Sequence, residues 1–187
     1  NRDLAWTIRG KVAHGYCRHI SALESLSADQ WVSTTSLAER LDRPVSKVIA
    51  AVACDQPRIA NDNGPLRVVY HGSDTHLEDR LFVVDVARCM ADIAPEIRFE
   101  ITGTRRLRLM ASGLHNIQIV PQTSWPDYRA QQSGRGATVF LAPLTAGPLN
   151  RIRAPVKVFD AARLGAVGVY ADAAPYSDAV QHRKTGL

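Results

Sequence analysis

The distribution of apolar and polar positions changes at about residue 66. From residue 67 onward, short apolar runs rich in β-branched and aromatic residues alternate with longer segments that carry apolar residues at helical spacing. The runs predict strands at residues 67–71, 98–102, 117–120, 138–142 and 167–171, and the longer segments predict helices at residues 77–93, 106–111, 125–132, 154–164 and 175–181. This alternation predicts right-handed βαβ units and an α/β, Rossmann-like parallel sheet covered on both faces.

The first part of the chain has a different pattern. It predicts a helix at residues 4–26, then a strand, a helix and a strand at residues 30–33, 35–41 and 47–52. Two strands and the helix between them are too few for an independent α/β domain. We therefore interpret residues 1–54 as the incomplete C-terminal part of a second α/β domain, residues 55–66 as a linker rich in turn-forming residues, and residues 67–187 as the Rossmann-like domain. We expect the chain to be a piece of a longer protein.

Composition and charge narrow the classes of partner. The net charge is +5, which suits nucleic acid, an anionic membrane surface or a phosphorylated small molecule. The sequence contains neither an RNP-like aromatic motif nor a zinc-finger pattern, so we do not expect nucleic acid as a partner. Cys17, Cys54 and Cys89 are widely spaced and predict free thiols rather than a metal site, which favours a cytoplasmic protein. Peripheral association with the inner face of the membrane stays open.

Two glycine-containing loops follow the first two strands of the predicted sheet. Ligands of open parallel sheets bind beyond the carboxyl ends of the strands. Gly72 would let backbone N–H groups approach a phosphate, and Ser73 would add a hydroxyl donor. Gly103 and Thr104 follow the next strand in the same way, directly before Arg105. The alternative is a simple strand-to-helix turn at each place, with Asp74 or Thr75 capping the first helix.

Residues 141–160 form the segment with the most candidate chemistry. A loop with two prolines and a glycine enters a predicted helix, whose positive N-terminal end would attract an anion. Arg153 stands at this entrance, and Pro155 suits a first helical turn. Lys157 and Asp160 are three residues apart and share a face, so they could hold the phosphates and the ribose of a nucleotide. The alternative is an ordinary ion pair between them.

The order and spacing of several segments resemble those of retaining GT-B glycosyltransferases related to glycosyltransferase family 4. The donor-site pattern of that family is matched by Ala142-Pro143-Leu144, Leu149-Asn150-Arg151, Arg153, Lys157, Asp160 and residues 161–165. The flanking segments at residues 29–37, 47–49, 70–76 and 168–187 also resemble segments of the family in the same order. Arg153 stands where lysine is usual, and Asp160 where glutamate is usual.

The resemblance implies a reaction and a set of site residues. The reaction is transfer of a sugar from a nucleoside diphosphate sugar to the hydroxyl of a glycan, lipid-linked or other acceptor, with no metal and no cofactor. Arg153 and Lys157 would stabilise the departing diphosphate, and Asp160 would hold the ribose. The remaining donor-binding candidates are Gly72, Ser73, Gly103, Thr104, Pro143, Leu144 and Asn150. Because the acceptor is bound mainly by the other domain of a GT-B enzyme, we expect this chain alone to be inactive.

Two alternative functions stay open at this stage. A sugar-nucleotide epimerase of the same fold would need paired carboxylates and histidines that face a closed cleft, and the sequence does not locate them. A non-catalytic nucleotide- or anion-binding α/β module would need only the basic residues near the strand ends.

Overall fold

The computed structural model describes residues 22, 29–41, 47–50, 65–73, 76–132, 137–147 and 150–187. The chain divides into two compact units, Asn1–Ala50 and Ala51–Leu187. The predicted helix at residues 4–26 lies outside the described residues except for residue 22. The predicted linker at residues 55–66 is described only at its last two residues, so the domain boundary stays a prediction.

The first unit contains a parallel pair of short strands. Strands β1 (Trp31–Val32) and β2 (Lys47–Val48) pair with Trp31 opposite Lys47. Helix α1 (Thr35–Arg40) connects them, and its N-cap Thr34 accepts a hydrogen bond from the Leu37 N–H at 3.1 Å. This order of strand, helix and strand is the predicted one.

The second unit is built on a five-stranded, all-parallel sheet, which confirms the predicted Rossmann-like α/β fold. The strands are β3 (Arg67–Tyr70), β4 (Arg98–Thr102), β5 (Ile117–Val120), β6 (Val139–Ala142) and β7 (Val167–Tyr170), in the order β5-β4-β3-β6-β7. The helices are α2 (Leu77–Ile93), α3 (Arg105–Met110), α4 (Trp125–Gln132), α5 (Lys157–Leu164) and α6 (Tyr176–Ala179).

Side chains alternate across this sheet and form a core on each face. Val68 and Tyr70 of β3 pack into one core with apolar residues of α2 and α3. Val69 of β3 packs into the other core with Phe140 of β6 and residues of α5. Because both faces are covered, the strands are apolar along most of their length, which explains the β-branched and aromatic runs in the sequence.

Helix α5 begins later than predicted. It starts at Lys157 rather than residue 154, because Pro155 has no N–H and restricts the residue before it to extended backbone. The chain enters the helix through short-range bonds, with the Val158 N–H donating to Pro155 O at 3.1 Å. The predicted stop at Gly165 is confirmed, since its φ of 65° lies in the left-handed region that glycine adopts readily.

The last helix is shorter than the predicted residues 175–181. It spans Tyr176–Ala179, because Val180 is already extended and the chain then turns back to the sheet. The Leu187 N–H donates to Gly168 O, and the Tyr170 N–H donates to Leu187 O, each at 2.9 Å. Pairing with β7 therefore ends the helix.

Candidate functional site

The strand order places a switch in direction between β3 and β6. These neighbouring strands lead the chain toward opposite halves of the sheet, so the loop after β3 and the segment after β6 diverge at their carboxyl ends. Ligands of such sheets bind at this point. Most of the sequence-predicted site residues lie on these two connections.

Lys157 lies at this switch point and is 8% exposed. Its ammonium group donates a hydrogen bond to the backbone carbonyl of His71, and Nζ lies 4.5 Å from the centre of the Tyr70 ring. Burial lowers the pKa of Lys157 from 10.5 to about 8, although the nearby carboxylates of Asp160 and Asp79 act in the opposite direction. The structure therefore holds a partly desolvated cation at the end of β3.

Asp160 lies one turn further along α5 and lines a cavity next to Lys157. Its Oδ1 accepts a hydrogen bond from Arg163 Nη1 at 2.9 Å, so its ion pair is with Arg163. Burial raises the pKa of Asp160, while Lys157 and Arg163 lower it, and burial dominates. The three-residue spacing predicted that Asp160 shares a helix face with Lys157. The two side chains do interact electrostatically, but the ion pair of Asp160 is with Arg163.

Arg153 is tied into a partly buried chain of polar groups. Its Nη1 lies 2.8 Å from His76 Nδ1 and 3.2 Å from Nε2, and His76 Nδ1 is also 3.1 Å from Asp79 Oδ2. Burial raises the pKa of Asp79, but hydrogen bonds from His76 and Thr145 outweigh it, so that this pKa is lowered. The carboxylate therefore stays ionised and holds the His76 ring, which lies against Arg153.

Asn150 fastens the segment between β6 and α5. Its Nδ2 donates to Thr145 O at 2.7 Å, and the Thr145 N–H donates to Asp79 Oδ1 at 3.0 Å. The segment is thus held by its own asparagine and by a carboxylate of α2. Asn150 acts on the shape of the loop through these bonds.

Gly72 is required for internal packing. A Cβ at this position would lie 2.8 Å from Tyr70 Oη and 3.1 Å from Cζ. Its N–H, which the sequence predicted to face a phosphate, donates to Thr102 Oγ1 at 2.8 Å. Its carbonyl accepts from Arg80, Thr102 and Gln122 at 2.7, 2.9 and 3.0 Å. Ser73 is exposed at the mouth of the same cavity as Asp160.

Gly103 and Thr104 belong to a neighbouring depression. A Cβ on Gly103 would meet Leu107 Cδ2 at 2.5 Å, so this glycine also serves packing. Thr104 is the N-cap residue of α3 and lines a depression of about 540 Å³ together with Arg105 and Arg108. The loop therefore combines a packing glycine with an exposed basic surface.

Pro143 and Leu144 lie in a third depression, of about 330 Å³, together with Phe82 and Tyr170. Its lining is almost wholly apolar. The structure does not bring these two residues into the cavity that Asp160 lines. Asp74 and Thr75, the alternative caps of α2, lie outside the described residues, and the N-cap is His76.

The largest of these depressions is a cavity of about 600 Å³ at the carboxyl ends of β3, β4 and β5. It is lined by His71, Gly72, Ser73, Glu100, Thr102, Val120, Pro121, Gln122, Thr123, Trp125, Tyr128 and Asp160. Glu100, Thr102, Gln122, Trp125 and Tyr128 were missed by the sequence analysis. A glutamate inside a predicted buried strand was a usable signal for Glu100, since such a side chain needs a partner.

A buried network of side chains forms one wall of this cavity. His71 and Glu100 are each 4% exposed. His71 Nε2 lies 3.3 Å from Glu100 Oε1, and His71 Nδ1 lies 3.0 Å from Tyr128 Oη. Arg67 Nη2 forms an ion pair with the same Glu100 oxygen at 3.1 Å.

No family model matches the chain, and no curated protein is similar to it in sequence. Within the described ranges, no group of three or more His, Cys, Asp or Glu side chains could hold a metal ion. The same part of the chain has no helix long and apolar enough to cross a membrane.

Proposed function

We propose that this chain is the nucleotide-sugar-binding part of a retaining, metal-independent GT-B glycosyltransferase. The enzyme would transfer a sugar from a nucleoside diphosphate sugar to an acceptor hydroxyl. The observation that carries the proposal is the buried cation of Lys157 at the switch point of the sheet, beside the cavity of about 600 Å³ that Asp160 lines. A cavity of this size suits a nucleotide.

The electrostatics around Lys157 support diphosphate binding. Arg153 is close enough to contribute to the lowered pKa of Lys157, so two cations stand near each other. A diphosphate between them would relieve this repulsion and neutralise a charge that is held out of water. Charge that develops on the leaving diphosphate would be stabilised by groups already in place, which is a large catalytic term in general.

The rest of the cavity supports the same ligand class. Trp125 is 55% exposed and presents an aromatic surface to the cavity. Asp160 of α5, the helix that follows β6, offers carboxylate oxygens to sugar hydroxyls. Ser73 and Gln122 add neutral polar groups at the rim. A few polar groups in a largely apolar pocket are typical of small-molecule sites.

The same cavity bears on the epimerase alternative. His71, Glu100 and Asp160 all line it, which is a histidine with two carboxylates. Both ring nitrogens of His71, however, lie at hydrogen-bond distance from Tyr128 and Glu100, and Glu100 is paired with Arg67. Because these groups are already bound to one another, they are poorly placed to move protons on a sugar, and the transferase is favoured.

The test is titration calorimetry of the whole chain with UDP, GDP, ADP and TDP. We expect one of them to bind, and Lys157→Ala to weaken its binding at least about tenfold, since a hydrogen bond between charged groups contributes about 1.5–3 kcal/mol. Lys184→Ala is the matched control, because Lys184 is exposed and lies on the C-terminal turn. If no nucleotide binds, or Lys157→Ala binds as the wild type does, the proposed function is wrong.

A further inference from the structure

A chain of four polar side chains runs from the first residue of β3 to the lining of the cavity. It begins at Arg67 on β3, continues through Glu100 on β4 and His71 after β3, and ends at Tyr128 on α4. The three contacts measure 3.1, 3.3 and 3.0 Å. Glu100 is 29 residues from His71 in the sequence and Tyr128 is 57 residues from it, so the fold brings these three side chains together.

The charges of Arg67 and Glu100 decide which group donates in the next hydrogen bond. Arginine is always charged, and the carboxylate that it pairs with can only accept hydrogen bonds. Glu100 therefore requires a proton on the atom that faces it, which is His71 Nε2. In a neutral ring this is the one proton that the imidazole carries, so Nδ1 is left as an acceptor. Nδ1 in turn requires the proton of the Tyr128 hydroxyl.

The Tyr128 hydroxyl can thus only accept a hydrogen bond from a group in the cavity. Its proton is directed at His71, and burial together with the charge of Asp160 raises its pKa, so the hydroxyl keeps that proton. Its oxygen still has a free lone pair, and Tyr128 lines the cavity. A ligand group next to this oxygen must be a donor, since an acceptor would face the lone pairs of Tyr128 without a proton between them.

We propose that Tyr128 Oη is a specificity-determining acceptor that binds a hydroxyl group of a sugar in this cavity. The Trp125 ring stacks on Tyr128 at 5.6 Å with an interplanar angle of 23°, which adds an aromatic surface beside the acceptor. The Asp160 carboxylate supplies further acceptor oxygens on the same cavity. Acceptors beside an aromatic face suit the donors and the apolar face of a sugar ring. For a nucleotide-linked sugar this inference rests on the proposed function.

The first test concerns the direction of the network in the free protein. Nitrogen NMR of the histidine rings, with His71→Gln to assign the signals, should show neutral His71 protonated at Nε2. Glu100→Gln should mix the two tautomers, because an amide can donate as well as accept. A wild-type His71 protonated at Nδ1 would reverse the direction at Tyr128 and overturn the inference.

The second test concerns the ligand. The probes are the four nucleoside diphosphates, UDP-glucose and GDP-mannose, and the free sugars ribose, glucose and mannose, followed by chemical shifts of Tyr128 and His71. We expect Tyr128→Phe to weaken the probe that binds about five- to tenfold, the usual contribution of one neutral hydrogen bond. Tyr170→Phe makes the same change outside the cavity and should leave the affinity unchanged.

The outcomes separate the two proposals. Sugars that shift Tyr128 while no nucleotide binds would support the hydroxyl acceptor and contradict the proposed function. A nucleotide whose binding depends on Lys157 but not on Tyr128 would support the proposed function and overturn the acceptor. If no probe shifts Tyr128 or His71, the acceptor is overturned as well.

Discussion

The loop after β3 and the segment between β6 and α5 both lie at the carboxyl edge of the sheet, yet they use their polar groups differently. In the first, the N–H and the carbonyl of Gly72 are both bound within the protein, and its missing side chain makes room for Tyr70. In the second, Gly147 has nothing within 4 Å of a Cβ, and the loop is fastened by Asn150. The helix that follows then buries the charge of Lys157.

This difference distinguishes structural residues from functional candidates. Gly72 has a structural role, because its N–H and its carbonyl both have partners inside the fold. Such a role does not explain Lys157, because burying an ammonium group is unfavourable. Burial lowers the pKa of Lys157 as a result. A residue that keeps an unfavourable charge in place, beside a cavity, is a stronger candidate for ligand binding.

The largest expected effect comes from removing this buried charge. The pKa of Lys157 is lowered from 10.5 to about 8, so between these pH values the unfolded chain binds more protons than the folded chain. The contribution of Lys157 to the free energy of unfolding therefore rises with pH across this window and is least favourable below pH 8. We expect Lys157→Met to be about 2 kcal/mol more stable than the wild type near neutral pH, after the lost hydrogen bond is deducted.

The measurement is urea denaturation of both proteins from neutral pH to above pH 10.5. The difference between the two curves should shrink as pH rises, since the other titrating groups are common to both. Lys184→Met is the control and should give a difference that is small and flat. A difference for Lys157→Met that is equally flat would show that the lysine is not buried as a cation.

The two glycines give an effect of similar size. In Gly72→Ala the new methyl group meets the fully buried ring of Tyr70, so we expect a loss of about 1–3 kcal/mol of unfolding free energy. In Gly147→Ala the methyl group meets open space, and the expected change is within about 0.5 kcal/mol. Thermal or urea unfolding of both variants measures this. Equal losses would remove the contrast between the two connections.

The smallest expected effect comes from Asn150. Asn150→Ala removes the hydrogen bond to Thr145 O and should reduce stability by about 1 kcal/mol. Its neighbour Arg151 is exposed, so Arg151→Ala is the control for a substitution in the same loop. Urea unfolding of both variants is the measurement. An Asn150→Ala variant as stable as Arg151→Ala would mean that the segment after β6 does not depend on the hydrogen bond from Asn150 to Thr145.

The strands and helices of the second unit could be predicted from the sequence almost in full, because strand and helix signals are local. The bounds of α2, β4, β5 and α4 agree with the prediction at both ends. The start of α5 was missed, since Pro155 delays the regular helical bonds until Lys157. The length of α6 was missed because pairing of Leu187 with β7 is a contact between distant parts of the sequence.

The candidate site could be predicted only in outline. The sequence pointed to loops at the carboxyl ends of the strands, and the structure brings Gly72, Ser73 and Asp160 to one cavity. It could not show that Asp160 pairs with Arg163, because Lys157 and Arg163 are both three residues away from it. His71, Glu100 and Tyr128 lie on a loop, a strand and a helix, and no spacing along the chain reveals that they touch.

The carbonyl of Gly72 has a consequence for motion around the cavity. Arg80 of α2, Thr102 of β4 and Gln122 of the loop before α4 all donate to this one oxygen. A single backbone atom therefore links a helix, a strand and a loop beside the cavity. We therefore expect any adjustment to an incoming ligand to involve the exposed Thr123 and Trp125 rather than the backbone around Gly72.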